Sequence, residues 1–76
     1  MKDLLLYIAR SLVEHPEQVS VTEGEEGDEL TLQLRVAPED MGKVIGRQGR
    51  IAKEIRTLIR SYAQRTGVKA SVDIGD

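Results

Sequence analysis

Met41-Gly42-Lys43-Val44-Ile45-Gly46-Arg47-Gln48-Gly49-Arg50-Ile51-Ala52-Lys53 joins two apolar runs through the spacing Gly-x-x-Gly. Lys43, Arg47, Arg50 and Lys53 surround the glycines, and no acid falls between Lys43 and Lys53. Glycines at 46 and 49 let the backbone turn sharply, and the missing side chains let a ligand approach the main chain. One helix is expected to enter this loop and a second to leave it at Gly49 or Arg50. The free N–H groups and positive dipole end of the second helix then face the loop. Such a turn suits a phosphate, and the flanking cations favour a polyanion over a small anion.

Net charge over the 76 residues is −2, which taken alone argues against nucleic acid. The distribution argues the other way. Residues 1–40 hold three Lys/Arg and ten Asp/Glu, a balance of −7. Residues 41–76 hold eight Lys/Arg and three Asp/Glu, a balance of +5. This segregation places a basic patch on one part of a small domain. Seventy-six residues allow one domain, 1–76, near the lower limit for a core without covalent staples. The chain has no cysteine and one histidine, His15, so Cys-based and His-cluster metal sites are excluded and no cofactor is expected. No apolar run reaches the roughly 20 residues that span a bilayer. The N-terminus also lacks the pattern of a signal peptide, so a cytoplasmic protein with no membrane association is expected.

The flanking sequence supplies the frame. Met1 to about Glu14 reads as a helix, with Leu4, Leu5, Ile8 and Leu12 at helical spacing, widened by Ala9 and Val13. Leu6 and Tyr7 fall on the flank of that face, and His15-Pro16 ends it. Gln18 to Thr22 alternates as a short strand, and Glu23 to Asp28 reads as a polar, glycine-bearing turn. Glu29 to Ala37 is the clearest strand, with Leu30, Leu32, Leu34 and Val36 on one face. Pro38-Glu39-Asp40 suits the start of the short helix that enters the loop. From Arg50 to about Thr66, Ile51, Ile55, Leu58 and Tyr62 share a helical face, broadened by Ala52, Ile59 and Ala63. Lys53, Arg56 and Arg60 form a basic stripe beside it. Gly67 stops that helix, and Val68, Ala70, Val72 and Ile74 alternate as a third strand.

The expected order is α-β-β-α-α-β, an α+β fold. Its one-sided, three-stranded mixed sheet carries three helices on one face. The third strand returns through two helices and lies parallel to the second.

Val44-Ile45-Gly46-Arg47-Gln48-Gly49-Arg50-Ile51 resembles the signature of KH domains, whose Gly-x-x-Gly loop clamps about four backbone nucleotides. The element order resembles the type II, or prokaryotic, KH fold over nearly the whole chain. At this length the chain is similar to the small stand-alone bacterial KH-domain RNA-binding proteins, the KhpA family. That resemblance implies single-stranded RNA binding and an RNA-chaperone or post-transcriptional role. It also implies pairing with itself or with a larger KH protein, KhpB (also called Jag), and in some bacteria a link to cell shape and cell-wall homeostasis. One position departs: many KH signatures have isoleucine three residues after the second glycine, where this chain has Ala52. The smaller side chain means that base preference does not carry over.

With two tyrosines and no Phe or Trp, the aromatic stacking platform of an RRM or OB-fold is not available. The KH mode needs none. Gly46 and Gly49 are expected to admit the phosphates, with Arg47 and Gln48 alongside and Lys43, Arg50 and Lys53 adding charge. Val44, Ile45, Ala52, Leu34 and Val36 are candidates for an apolar floor under the bases. An enzyme is not expected: there is no Cys nucleophile and no Ser-His pairing. The glycines fit neither a P-loop nor a dinucleotide fingerprint. The competing functions are a KH fold serving as a dimerisation or adaptor module with little RNA binding of its own, and single-stranded DNA binding.

Overall fold

The computed structural model describes residues 1–75. Its central element is β2 (Glu29–Arg35), where strict alternation puts Leu32 and Leu34 fully inside while Gln33 and Arg35 are exposed. β1 (Ser20–Glu26) pairs antiparallel with it, from Ser20 opposite Arg35 to Glu26 opposite Glu29. β3 (Lys69–Gly75) pairs parallel on its other side, with Val72 opposite Leu32, so the sheet order is β1-β2-β3. A parallel partner requires a crossover. Two helices provide it: α2 (Met41–Ile45) and α3 (Arg50–Arg65). With α1 (Lys2–Leu12) they close one core, in which Leu5 and Ala9 of α1, Val44 of α2 and Ile55 and Ile59 of α3 meet Val21, Leu32, Leu34 and Val72 of the sheet. Burying each of the larger side chains is worth roughly 1.5–3 kcal/mol.

The order and direction of strand pairing agree with the sequence reading, and the differences are local. Glu23–Glu26 is strand rather than turn, and only Gly27 and Asp28 connect β1 to β2. Gly27 has φ +63°, as the first position of a two-residue hairpin turn requires. Gly24 stands opposite Thr31, where an added Cβ would lie 2.9 Å from the threonine Oγ1. Glycine therefore continues the strand at a point where its composition reads as turn. The strand begins at Ser20, because Pro16–Gln18 is taken up in a single 3₁₀ turn. Val68 lies outside β3: its N–H donates to the Ala63 carbonyl and that of Gly67 (φ +75°) to the Gln64 carbonyl, closing α3 in a Schellman motif.

The largest difference is the rotation of α3. Its inner face is Ala52, Ile55, Ile59 and Ala63, while Leu58 and Tyr62 are 50% and 44% exposed. α3 carries a wider apolar stripe than the sheet and α1 cover. α1 ends at Leu12, itself 37% exposed, and the space between Ile8, Leu12, Ile51, Glu54, Ile55 and Leu58 remains an open cavity.

Candidate nucleic-acid interface

α2 is a single turn that ends where Gly46 leaves the helix at φ +76°, ψ 175°, its N–H donating to the Gly42 carbonyl at 2.9 Å. Arg47–Gly49 then forms one 3₁₀ turn in which Gln48 is left-handed (φ 59°, ψ 25°) and Gly49 likewise (φ 74°, ψ 14°). Two consecutive left-handed residues turn the chain sharply, and the Gly49 N–H donates to the Gly46 carbonyl at 3.2 Å. The two glycines answer different needs. A Cβ on Gly46 would lie 2.6 Å from Ile51 Cγ1, so that glycine lets Ile51 seat against the backbone. A Cβ on Gly49 would meet nothing within 4 Å. Gly49 is the side of the loop open to a ligand.

Arg47, Arg50 and Lys53 are exposed around this turn, and among the described residues no carboxylate is paired with them. Arg50 and Lys53 also line a shallow cavity of about 480 Å³ along α3, with Glu54, Thr57, Leu58 and Ser61. Lys43 points elsewhere: its Nζ lies 3.2 Å from Glu14 Oε1 and 3.7 Å from Asp40 Oδ1. Arg56 was not among the expected site residues, although its place in the basic stripe marked it. Its Nε–H donates to the Val72 carbonyl at 3.3 Å, laying that stripe along β3.

The packing leaves little of the expected apolar floor at the surface. Leu34 and Val44 are fully buried, Val36 is 5% and Ala52 3% exposed, so all four are core residues in this conformation. Only Ile45 of the five presents area beside the loop. Alternation in β2 and helical spacing in α2 and α3 identify apolar side chains but do not distinguish a closed interior from a groove.

Behind the loop lies Asp40, the single buried charged side chain among the described residues, 1% exposed. It occupies the N-cap position of α2 but makes no capping hydrogen bond to that helix. Its Oδ1 accepts the Glu14 backbone N–H at 3.2 Å and its Oδ2 that of His15 at 3.0 Å. Burial opposes its charge, but these two N–H groups, together with His15 and Lys43, hold the carboxyl below the usual carboxylate range. The His15 ring stands 3.7 Å from Glu17 and 3.8 Å from Glu39.

The description "KhpA/KhpB, KH domain" belongs to the family model that matches residues 2–74. RNA-binding protein KhpA of Clostridium acetobutylicum is 53% identical over 74 residues, covering 97% of this chain and 99% of that protein. RNA-binding protein KhpA of Listeria monocytogenes is 47% identical over 97% of each chain, and that of Halalkalibacterium halodurans 45% identical over the full length of both. Among solved structures, Aquifex aeolicus Era bound to GDP and AlF4− superposes with a TM-score of 0.69 at 20% identity. That match covers 96% of this chain and 28% of the other, and it shows a shared fold alone. The chain belongs to the KhpA/KhpB family of KH domains.

Proposed function

We propose that residues 1–76 act as one KH domain that binds single-stranded RNA at the Gly46–Gly49 loop, as a cytoplasmic RNA chaperone or post-transcriptional regulator. The carrying observation is the open side of the turn at Gly49, ringed by Arg47, Arg50 and Lys53, which have no acidic partner among the described residues. The family is non-enzymatic, and its relatives bear the name RNA-binding protein. Phosphates rest against the backbone of the turn on its Gly49 side, the three cations neutralise them, and Gln48 stands alongside. The test is fluorescence anisotropy with a labelled single-stranded RNA of about twelve nucleotides, spanning two or more of the four-nucleotide footprints of a KH module. Replacing Arg47 and Gln48 by Asp keeps both glycines, and Asp tolerates the left-handed conformation at 48. Binding is expected to vanish in a folded double variant, and unchanged affinity defeats the assignment. A DNA oligomer of matched sequence separates RNA from single-stranded DNA.

A second property, pairing with another KH module, is favoured by the exposure of Tyr7 (72%), Leu12, Leu58 and Tyr62 on adjoining parts of α1 and α3. The partner is a second copy or the larger KhpB (Jag), and a link to cell shape and cell-wall homeostasis would run through it. Two modules read twice the length of RNA, and tethering raises the effective concentration of the second site. The adaptor reading, pairing with little RNA binding, is the outcome if the anisotropy arm fails while pairing is retained.

A further inference from the structure

Lys43 lies in the basic run around the Gly-x-x-Gly turn, which marks it as a phosphate contact. The structure gives it other partners. Its ammonium sits between Glu14, just beyond α1, and buried Asp40 at the head of α2, 3.2 and 3.7 Å away. Asp40 in turn accepts the backbone N–H groups of Glu14 and His15. Two side chains of the α2 segment thus converge on one short stretch of chain about 25 residues earlier in sequence.

α2 needs such ties. Five residues make a single turn, far below the length at which an isolated helix persists in water. No side chain caps its N-terminus: the residue in that position, Asp40, directs its carboxylate to the α1 end. Its other anchors are Val44, fully buried in the core, and half-buried Met41 packed against it. Gly46 follows at once, bonded back to Gly42, so any rotation of α2 is transmitted to the first glycine of the loop.

We propose that Asp40, Lys43 and Glu14 form a clamp that sets the orientation of the Gly46–Gly49 loop, and that Lys43 is a positioning residue rather than a phosphate contact. The proposal rests on the RNA-binding reading for its effect on affinity, but not for its effect on the loop. Lys43 and Glu14 are 42% and 73% exposed, so Lys43→Gln and Glu14→Gln are expected to fold.

The two roles predict different behaviour. A phosphate contact contributes about 0.7 to the slope of log K against log salt for a single strand. Lys43→Gln would then flatten the slope by that amount, and Glu14→Gln, by removing a negative charge, would raise affinity. A clamp predicts that both variants weaken RNA binding two- to four-fold with the slope unchanged, and that Lys43→Arg restores it. The arm that needs no RNA is an amide NMR spectrum. Both glutamine variants are expected to shift or broaden the Gly46, Gln48 and Gly49 signals, while Glu17→Gln, on the far side of His15, leaves them in place. Loop amides unmoved in Lys43→Gln and Glu14→Gln, or a slope flattened by Lys43→Gln, would overturn the clamp. If the wild-type chain binds no RNA, the RNA-binding reading fails and the amide arm alone decides the clamp.

Discussion

Gly46→Ala and Gly49→Ala remove equivalent glycines of one motif, but the structure predicts very different consequences. At Gly46, φ +76° and ψ 175° fall in a region open essentially to glycine alone, and holding another residue there costs of order 1–3 kcal/mol. The new Cβ would also stand 2.6 Å from Ile51 Cγ1 and 2.9 Å from Ile51 Cβ. Those atoms are the root of a stiff β-branched side chain in the first turn of α3, so relief requires moving the helix start. Overpacking of this kind costs typically about 1–3 kcal/mol. The two effects come to roughly 2–6 kcal/mol, less about 0.4–1 regained because alanine restricts the unfolded chain. Total stability for a domain of this length is roughly 4–11 kcal/mol, so Gly46→Ala sacrifices a large share of it. At Gly49, φ +74° and ψ 14° lie in the left-handed helical region with no atom near the new Cβ. The penalty there is about 1–2 kcal/mol before the same rebate, about 1 kcal/mol net. Urea unfolding followed by far-UV circular dichroism measures both. Equal losses of stability, or a Gly49→Ala variant the less stable of the two, would refute the assignment of Gly46 to packing and Gly49 to the open side. A corollary is that lost RNA binding in Gly46→Ala reports a moved loop, and contact must be tested through Arg47 and Gln48.

Three phosphates neutralised by Arg47, Arg50 and Lys53 give a log K against log salt slope of about −2, and a flat response in anisotropy titrations would place the binding surface elsewhere. Gln48→Gly relieves a left-handed glutamine (φ 59°) and is expected to change stability by between about 0 and +1 kcal/mol in urea unfolding; a clear loss would contradict the backbone assignment. The carboxyl of Asp40 is held below its ordinary value, so the stability it contributes is complete above the usual carboxylate range and is lost as pH falls through its folded value. Asp40→Asn should therefore be less stable than wild type near neutrality, by more than exposed Glu39→Gln, with the gap closing as acid unfolding proceeds below about pH 4. Sedimentation across a concentration series should show association that Leu58→Asp weakens, and a monomer at high micromolar concentration, alone and mixed with a larger KH protein, would exclude pairing.

Much of the frame was legible in local pattern. Period-two alternation through Leu30, Leu32 and Leu34 and again through Ala70, Val72 and Ile74 marks one-sided strands, because successive side chains point to opposite faces. The helix-loop-helix between them marks a parallel return. Gly46 and Gly49 with their flanking cations locate the loop, because the conformation a turn needs is written in its own residues. The misreadings share one cause. On α3, the stripe from Ile51 to Ala63 is too broad for helical spacing to say which edge faces the sheet. The packing chose Ala52, Ile55, Ile59 and Ala63 and left Leu58 and Tyr62 half in water. Asp40 has the residue type and position of a helix cap, yet its carboxylate bonds to Glu14 and His15, and Lys43 follows it away from the loop. A hydrogen-bond or ion-pair partner is set by proximity after the chain has folded, and proximity between residues some 25 apart in sequence is not encoded in the periodicity of either segment.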